Sequence, residues 1–135
     1  MKNLLVSPDD ILSIKFAVGK MKDGKIVCDI SQEMLKETYG ADLDVSSIET
    51  HDVVFRRPSF SDVVFLTGKL STNDGVRIDF NPFAIRMARM SNLIKSWTLK
   101  DGETAIPATA ESIQKLNPMV ANIIGIQLDT ELGGF

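Results

Sequence analysis

Two side chains in the sequence could form a nucleophilic pair, the single cysteine Cys28 and the single histidine His51. A histidine beside a cysteine takes its proton and leaves a thiolate, which attacks acyl groups. Cys28, however, stands beside Val27 and Ile30, where a buried structural thiol is the more common case. The glycines form neither a phosphate loop nor a dinucleotide fingerprint, and no Gly-x-Ser-x-Gly motif occurs. We therefore expect a protein that is not an enzyme.

A group of acidic side chains could in principle bind a cation. Its members are Asp42, Asp44, Glu49 and Asp52. They lack the spacing and the glycine of a calcium loop, and one histidine with one cysteine cannot supply a usual zinc ligand set. We predict a solvated acidic loop, without a metal or another cofactor.

A third possibility is a nucleic-acid surface built from arginines and aromatic rings, which would bind phosphates and stack on bases. The candidates are Arg56, Arg57, Arg77, Arg86 and Arg89, with Phe55 and Phe60 nearby. The chain has a net charge of −3, however, and ion pairs along helix edges explain these arginines more simply. A small phage or bacterial nucleic-acid-binding module stays the first alternative function.

Length and composition are those of one soluble domain, with 135 residues, 44% of them hydrophobic and 24% charged. A single cysteine excludes an intrachain disulfide and fits a reducing compartment. The N-terminus has only three consecutive apolar residues, at 4–6, before a polar segment. This run is too short for a signal peptide, and no later stretch approaches the roughly 20 apolar residues of a spanning helix. We expect a cytoplasmic protein.

The elements that must position these side chains begin with a β-hairpin at about residues 11–30. Apolar residues alternate with polar or small ones from Leu12 to Val18, which is the period of a strand with one buried face. Asp23-Gly24 fits a type I′ turn. Residues 26–30 then form the returning strand.

A short helix and a long connection are predicted next. Ser31 caps the helix and Gly40 ends it. Residues 41–58 are predicted to be mostly loop, with a short strand at 53–55 and a stop at Pro58.

A mainly helical region is predicted at about residues 59–132. Ser59 or Ser61 caps its first helix, whose inward stripe contains Phe60, Val63, Val64, Thr67 and Leu70. A short strand is possible at 76–80. Asn81-Pro82 opens a second helix, which the turn at Asp101-Gly102 ends. Its narrow apolar stripe contains Phe83, Met87, Met90, Ile94 and Trp97. We expect this stripe to pack in the core, although methionine also adapts to varied partners.

The C-terminal part repeats the same signals. A turn lies at Asp101-Gly102, Thr109 caps a short helix, Asn117-Pro118 opens the last helix and Gly133-Gly134 ends it. Together the elements predict a single α+β domain over residues 1–135, an N-terminal β-hairpin followed by a mainly α-helical region.

The last helix carries two apolar stripes instead of one. At about 100° per residue, the first contains Val120, Ile124, Leu128 and Leu132, and the second contains Met119, Ile123, Ile126 and Thr130. A helix that is apolar nearly all round has to be buried on most sides. The second stripe therefore lies either in the domain's own core or in an interface with another chain, and the sequence leaves both open.

Short motifs follow one another in a fixed order along the second half of the chain. They are Arg57-Pro58-Ser59-Phe60-Ser61-Asp62; Asn81-Pro82-Phe83 leading through Arg86, Arg89 and Leu93-Ile94 to Ser96-Trp97; Gly102 with Ile106-Pro107-Ala108-Thr109; and Ile113-Gln114-Lys115-Leu116-Asn117-Pro118. In this order they resemble the tail assembly chaperones of long-tailed, non-contractile (lambda-like) bacteriophages. The N-terminal strand, turn and strand with a helix at Ser31 is similar to the same group, so the resemblance covers most of the chain.

The resemblance implies a late, non-enzymatic protein that binds the long helical tape-measure protein before tail-tube subunits polymerise around it. Such chaperones keep the partner's apolar heptads from aggregating, act in the host cytoplasm and are absent from the mature virion. The family commonly makes a frameshifted longer form whose extension contacts the tail-tube protein. A chain ending at residues 132–135 is expected to be the short product.

We therefore expect a homo-oligomeric tail assembly chaperone without a nucleic-acid or membrane partner. The residues predicted for its partner interface are Met119, Ile123 and Ile126, followed by Met87 and Met90. A structural tail component stays the second alternative, and it differs from a chaperone only in persisting in mature particles.

Overall fold

The computed structural model of the protein describes residues 4–70 and 82–133, without the side chains of residues 67–70. Over these residues the fold is α+β, with a four-stranded antiparallel sheet interleaved with five α-helices. The strands are β1 (Ile11–Met21), β2 (Ile26–Asp29), β3 (Leu43–Arg56) and β4 (Ile94–Trp97), and a separate pair is formed by β5 (Lys100–Asp101) and β6 (Thr104–Ala105). The helices are α1 (Gln32–Tyr39), α2 (Phe60–Leu70), α3 (Pro82–Leu93), α4 (Ala110–Gln114) and α5 (Pro118–Glu131).

The predicted N-terminal hairpin and the helix after it are confirmed. β1 and β2 pair antiparallel, but the predicted type I′ turn at Asp23-Gly24 is wrong. The Gly24 N–H donates to the Met21 carbonyl and the Met21 N–H donates to the Lys25 carbonyl, both at 2.8 Å, so the loop has three residues and Gly24 closes it with a φ of 91°. Ser31 caps α1, since its side chain accepts a hydrogen bond from the N–H of Met34 at 3.2 Å. Gly40 ends the helix as predicted.

The prediction of a loop over residues 41–58 is wrong. Residues Leu43–Arg56 form the longest strand, β3, which lies inside the sheet in the order β2-β1-β3-β4. Its register places Val53 opposite Ile14 and Phe55 opposite Leu12, so that buried residues of neighbouring strands meet. The rest of β3 is mostly polar on both faces, which hides the period-two pattern on which strand prediction depends.

The helix predicted from Pro82 to the turn at Asp101-Gly102 is too long. α3 ends at Leu93, and Ile94–Trp97 forms β4, which pairs with β3. The half-buried Trp97 is held there because its indole N–H donates to the carbonyl of Ile106 at 2.6 Å. The fold is therefore a four-stranded sheet with helices placed between and after its strands, not a hairpin followed by a helical region. The strand predicted at 76–80 lies outside the described residues.

The inward stripe predicted for α2 is also wrong in part. Phe60 is 85% exposed and Val64 is 56% exposed, while Leu66 is buried. The orientation is set at the first turn, where Asp62 donates its N–H to the Ser59 hydroxyl and accepts from the Ser59 N–H and hydroxyl. This reciprocal cap decides between the two predicted caps in favour of Ser59. The side chains of Thr67 and Leu70 lie outside the described residues.

The C-terminal signals are confirmed. Gly102 lies in the turn between β5 and β6. Thr109 accepts from the N–H of Ser112 at 3.2 Å at the start of α4, and Asn117 accepts from the N–H of Met119 at 2.9 Å at the start of α5. α5 ends at Glu131, just before Gly133; Gly134 is outside the described residues.

The sheet separates two apolar clusters, since alternate residues of a strand point to opposite faces. One face carries Leu12, Ile14 and Phe16 of β1, packed against residues of the three C-terminal helices. Those helical residues are Met90, Leu93, Ile113, Ile124 and Leu128. The other face carries Ala17, Val27 and Leu43, packed against Leu35 of α1. Among the described helices, none is long and apolar enough to cross a membrane.

Candidate partner-binding groove

The two stripes of α5 have different environments. In the first stripe Ile124 and Leu128 are fully buried, and Val120 and Leu132 pack against the same cluster. In the second stripe Met119 is 42% exposed and Ile126 is 43% exposed, while Ile123 is half-buried against the core. α5 is therefore a core helix on one side and offers apolar surface on the other.

A groove lies where α3, α4 and the start of α5 meet, with a volume of about 500 Å³. It is lined by Phe83, Arg86, Met87, Met90, Ile113, Gln114, Leu116, Pro118, Met119, Ala121 and Asn122. The structure thus brings together Met87, Met90 and Met119 from two distant segments. It leaves Ile123 and Ile126 outside the lining, farther along α5.

The methionines of the groove occupy different depths. Met90 is only 2% exposed, so this predicted interface residue belongs to the core and forms part of the floor. Met87 is 45% exposed and Phe83 is 75% exposed, and both face the opening. Flexible, polarisable thioethers let such a surface adapt to irregular apolar partners.

A group of polar side chains fixes α3 against α5 beside this groove. Arg86 donates from Nε to Asp129 Oδ2 at 3.2 Å and from Nη1 to Asn122 Oδ1 at 2.8 Å. Arg89 donates from Nη1 to the other carboxylate oxygen of Asp129 at 2.9 Å. The stem of Arg86 crosses α5 at Gly125, where an added Cβ would lie 2.5 Å from Arg86 Cγ. We call these five residues the α3–α5 clamp.

The spacing of the clamp residues could have indicated it. Asn122, Gly125 and Asp129 are separated by three and four residues, and Arg86 and Arg89 by three, so each set lies on one side of its helix. Both arginines were predicted to lie at helix edges, without assigned partners. Spacing alone does not say which two helices meet.

Three of the four described arginines of the proposed basic surface form ion pairs in the structure. Arg56 donates to both carboxylate oxygens of Asp62, at 2.6 and 3.0 Å. The hydrogen bonds from Arg56 and Ser59 hold the pKa of Asp62 well below its usual range. Arg86 and Arg89 are paired with Asp129. Arg57 is exposed, and Arg77 lies outside the described residues.

Cys28 and His51 do not form a dyad. Their strands are separated by β1, on which Cys28 lies opposite Val18 and His51 opposite Phe16. Two strand spacings alone amount to about 10 Å. Burial, and secondarily the charge of Asp29, raises the pKa of the Cys28 thiol to about 11, which leaves very little thiolate near neutral pH.

His51 instead lies between Glu49 and Thr98, an arrangement that was not predicted from the sequence. Its Nε2 is 3.0 Å from Glu49 Oε2 and its Nδ1 is 3.0 Å from Thr98 Oγ1. Carboxylate, imidazole and hydroxyl follow one another as in a hydrolase triad. The Thr98 hydroxyl, however, also accepts the backbone N–H of Asp52 at 3.0 Å, while the Thr98 N–H donates to the Asp52 carbonyl. Thr98 therefore extends the pairing of β3 beyond the end of β4, which is a structural role.

The acidic residues predicted to form a loop lie at or on β3 and point in different directions. Asp44 accepts from Ser46, and Asp52 pairs with Lys15 at 3.8 Å. In the part of the chain that the structure describes, no group of three or more histidine, cysteine or acidic residues could hold a metal ion.

Comparison with protein-family models, with curated proteins and with solved structures gives no match.

Proposed function

We propose that the protein is a tail assembly chaperone of a long-tailed, non-contractile bacteriophage and that it binds the tape-measure protein through the groove between α3, α4 and α5. The observation that carries the proposal is this apolar groove with Met87 and Met119 at its opening. The order of the sequence motifs from Arg57 to Pro118 supplies the identity of the partner.

The physical mechanism is the burial of one face of a partner helix. Apolar residues at i, i+3, i+4 and i+7 of an amphipathic helix form a stripe that fits a hydrophobic groove. A tape-measure protein presents such stripes over its whole length. The chaperone covers them, so that they do not associate with one another before the tube assembles.

The exposed area implies a weak individual site. Covering the exposed parts of Phe83, Met87 and Met119 stabilises a complex by about 2–5 kcal/mol before the entropy cost of association. One groove alone therefore holds a helix weakly. A long repetitive partner together with a homo-oligomeric chaperone raises the effective affinity by offering many sites at once.

Weak, repeated binding also allows the chaperone to dissociate from the tape-measure protein when the tail tube assembles. The tail-tube protein replaces it along the tape measure, and a frameshifted longer form of the chaperone recruits that protein. In this proposal the chain acts in the host cytoplasm and is absent from the mature virion. Detection of stoichiometric amounts in purified virions would favour a structural tail component instead.

Co-expression tests the proposal. The chain is expressed with and without the phage tape-measure protein, and the soluble fraction of that protein is measured. We expect the tape-measure protein to be insoluble alone and to co-purify with the chain when both are made. A tape-measure protein that is equally soluble in both cases, or that does not co-purify, would contradict the proposal.

A further inference from the structure

The groove has one charged side chain in an otherwise neutral lining. Among the described residues that form it, only Arg86 carries a charge, and Phe83, Met87, Met90 and Met119 surround it with apolar surface. The side chain of Arg86 is 24% exposed. A helix lying in the groove therefore covers a guanidinium group as well as methionines.

The α3–α5 clamp does not balance the charge of that guanidinium. Arg86 and Arg89 share the single carboxylate of Asp129, and the other acceptor of Arg86 is the neutral amide of Asn122. The cluster has two positive charges and one negative charge. Of the five N–H donors of a guanidinium, two are engaged by Asp129 and Asn122.

Covering this cluster with a purely apolar helix is unfavourable. Removing a charged group from water costs free energy unless an opposite charge and hydrogen bonds compensate for it. A carboxylate on the incoming helix supplies both, since a planar guanidinium binds carboxylates in a directional way. An amine at the same place would add a second uncompensated positive charge.

We infer that the groove selects an apolar helix that presents a carboxylate to Arg86, and that this contact sets the register in which the helix binds. The inference rests on the proposed function, because it assigns the chemistry of the partner at the same groove. An apolar stripe repeats along a helix, so the helix could bind the groove in several registers. An acidic residue at the edge of the stripe reaches Arg86 in fewer of those registers. Arg86 is thus a specificity-determining residue, while Arg89 holds the clamp together without lining the groove.

The test uses three synthetic peptides of about 20 residues, long enough to be helical. They share one leucine stripe and differ only at one edge position in every heptad, which is Glu, Gln or Lys. Fluorescence anisotropy of the labelled peptides gives their affinity for the full chain at low and at high salt. We expect the Glu peptide to bind about three- to fivefold more tightly than the Gln peptide and the Lys peptide to bind most weakly. Salt should reduce these differences.

Two matched variants separate the groove from the clamp. Arg86→Gln removes the contacts to Asp129 and Asn122, whereas Arg89→Gln removes only the contact to Asp129, so both should lower the melting temperature and Arg86→Gln should lower it more. Only Arg86→Gln should abolish the preference for the Glu peptide, and Arg89→Gln should keep it. The peptide series on the unmodified chain keeps the test valid even if a variant folds poorly.

The outcomes distinguish this inference from the proposed function. Equal binding of all three peptides, reduced by a Met119→Gln change in the groove, would overturn the selection of a carboxylate and leave the groove as the binding site. Equal loss of the preference in both arginine variants would also overturn it. No binding of any peptide, or binding that Met119→Gln does not affect, would contradict the groove itself.

Discussion

Replacing Gly125 by alanine should destabilise the protein, although the same change stabilises most helices. Gly125 lies within α5, where alanine is normally more favourable than glycine by about 0.5–1 kcal/mol. Here the added Cβ would lie 2.5 Å from Arg86 Cγ, a separation that real Cβ atoms do not show. The stem of Arg86 has to move, and its guanidinium then leaves Asp129 and Asn122.

The size of the effect follows from the contacts that are lost. Hydrogen bonds to charged groups contribute about 1.5–3 kcal/mol when buried. The side chains of Arg86 and Asp129 are 24% and 29% exposed, so solvent screening reduces the contribution of their pair towards 1 kcal/mol. With the bond to Asn122 and the packing of the stem included, the loss is about 2–3 kcal/mol. After the gain from helix propensity, we expect a net destabilisation of about 1–2 kcal/mol.

Urea unfolding followed by circular dichroism measures this difference in the free energy of unfolding. In thermal unfolding, the melting temperature should fall by about 3–8 °C. The control is a double-mutant cycle with Arg86→Ala. Without the stem of Arg86, Gly125→Ala should regain its ordinary effect and stabilise the protein by about 0.5–1 kcal/mol. The sign of the substitution therefore depends on one side chain of another helix.

A stabilising effect of Gly125→Ala in the unmodified chain would refute this reasoning. It would mean that the stem of Arg86 does not cross α5 at Gly125. An equal destabilisation with and without Arg86 would also refute it, because the cause would then lie elsewhere in α5.

The remaining predictions concern two titrating groups. The pKa of Asp62 is lower in the folded protein than in the unfolded chain, so its ion pair adds stability above about pH 4 and loses it as the pH falls from there through the folded pKa. Asp62→Asn should therefore lower the free energy of unfolding by about 1 kcal/mol at pH 7. The difference in this free energy between the variant and the unmodified protein should shrink as the pH falls below about 4. A difference that stays constant down to pH 2 would contradict the role of Arg56. Cys28, with its pKa raised to about 11, should react with iodoacetamide at pH 8 about a hundredfold or more slowly than in urea-unfolded chain, and equal rates would mean that the thiol is accessible.

The sequence predicts the parts of this fold whose signals are local. Ser31, Thr109 and Asn117 all cap helices in the structure, because a cap needs only a side-chain oxygen and the N–H groups that follow it. The turn at Gly24 is local in the same sense. These signals act over two or three residues and do not depend on the rest of the chain.

Parts that depend on distant partners were not predicted. β3 is mostly polar and is held as a strand by its pairing with β1 on one side and β4 on the other. Ile94–Trp97 continues a helical pattern in sequence, yet it pairs with Val53 to Phe55 of β3. In both cases tertiary hydrogen bonding outweighs a local pattern.

The candidate site could be predicted residue by residue but not as a surface. The surplus of apolar residues on α5 left open whether Met119, Ile123 and Ile126 lie in the core or in an interface; in the structure Met119 and Ile126 are exposed and Ile123 packs against the core. Sequence periodicity also grouped Met87 with Met90, which the structure places at the opening and at the floor of one groove. The meeting of these residues with Met119 requires α3 to pack against α5, an arrangement held by the shared apolar core and by the α3–α5 clamp.

The most direct test of the central claim is the affinity of the chain for the tape-measure protein when the groove alone is made polar. Met87→Gln combined with Met119→Gln keeps the length and the charge of both side chains and removes apolar surface at the opening. The matched control combines Met34→Gln with Val45→Thr, at residues that are 40% and 58% exposed and lie outside the groove lining. We expect the groove variant to bind about tenfold more weakly and the control to bind like the unmodified chain. Equal affinities of the two double variants would contradict the assignment of this groove as the partner-binding site.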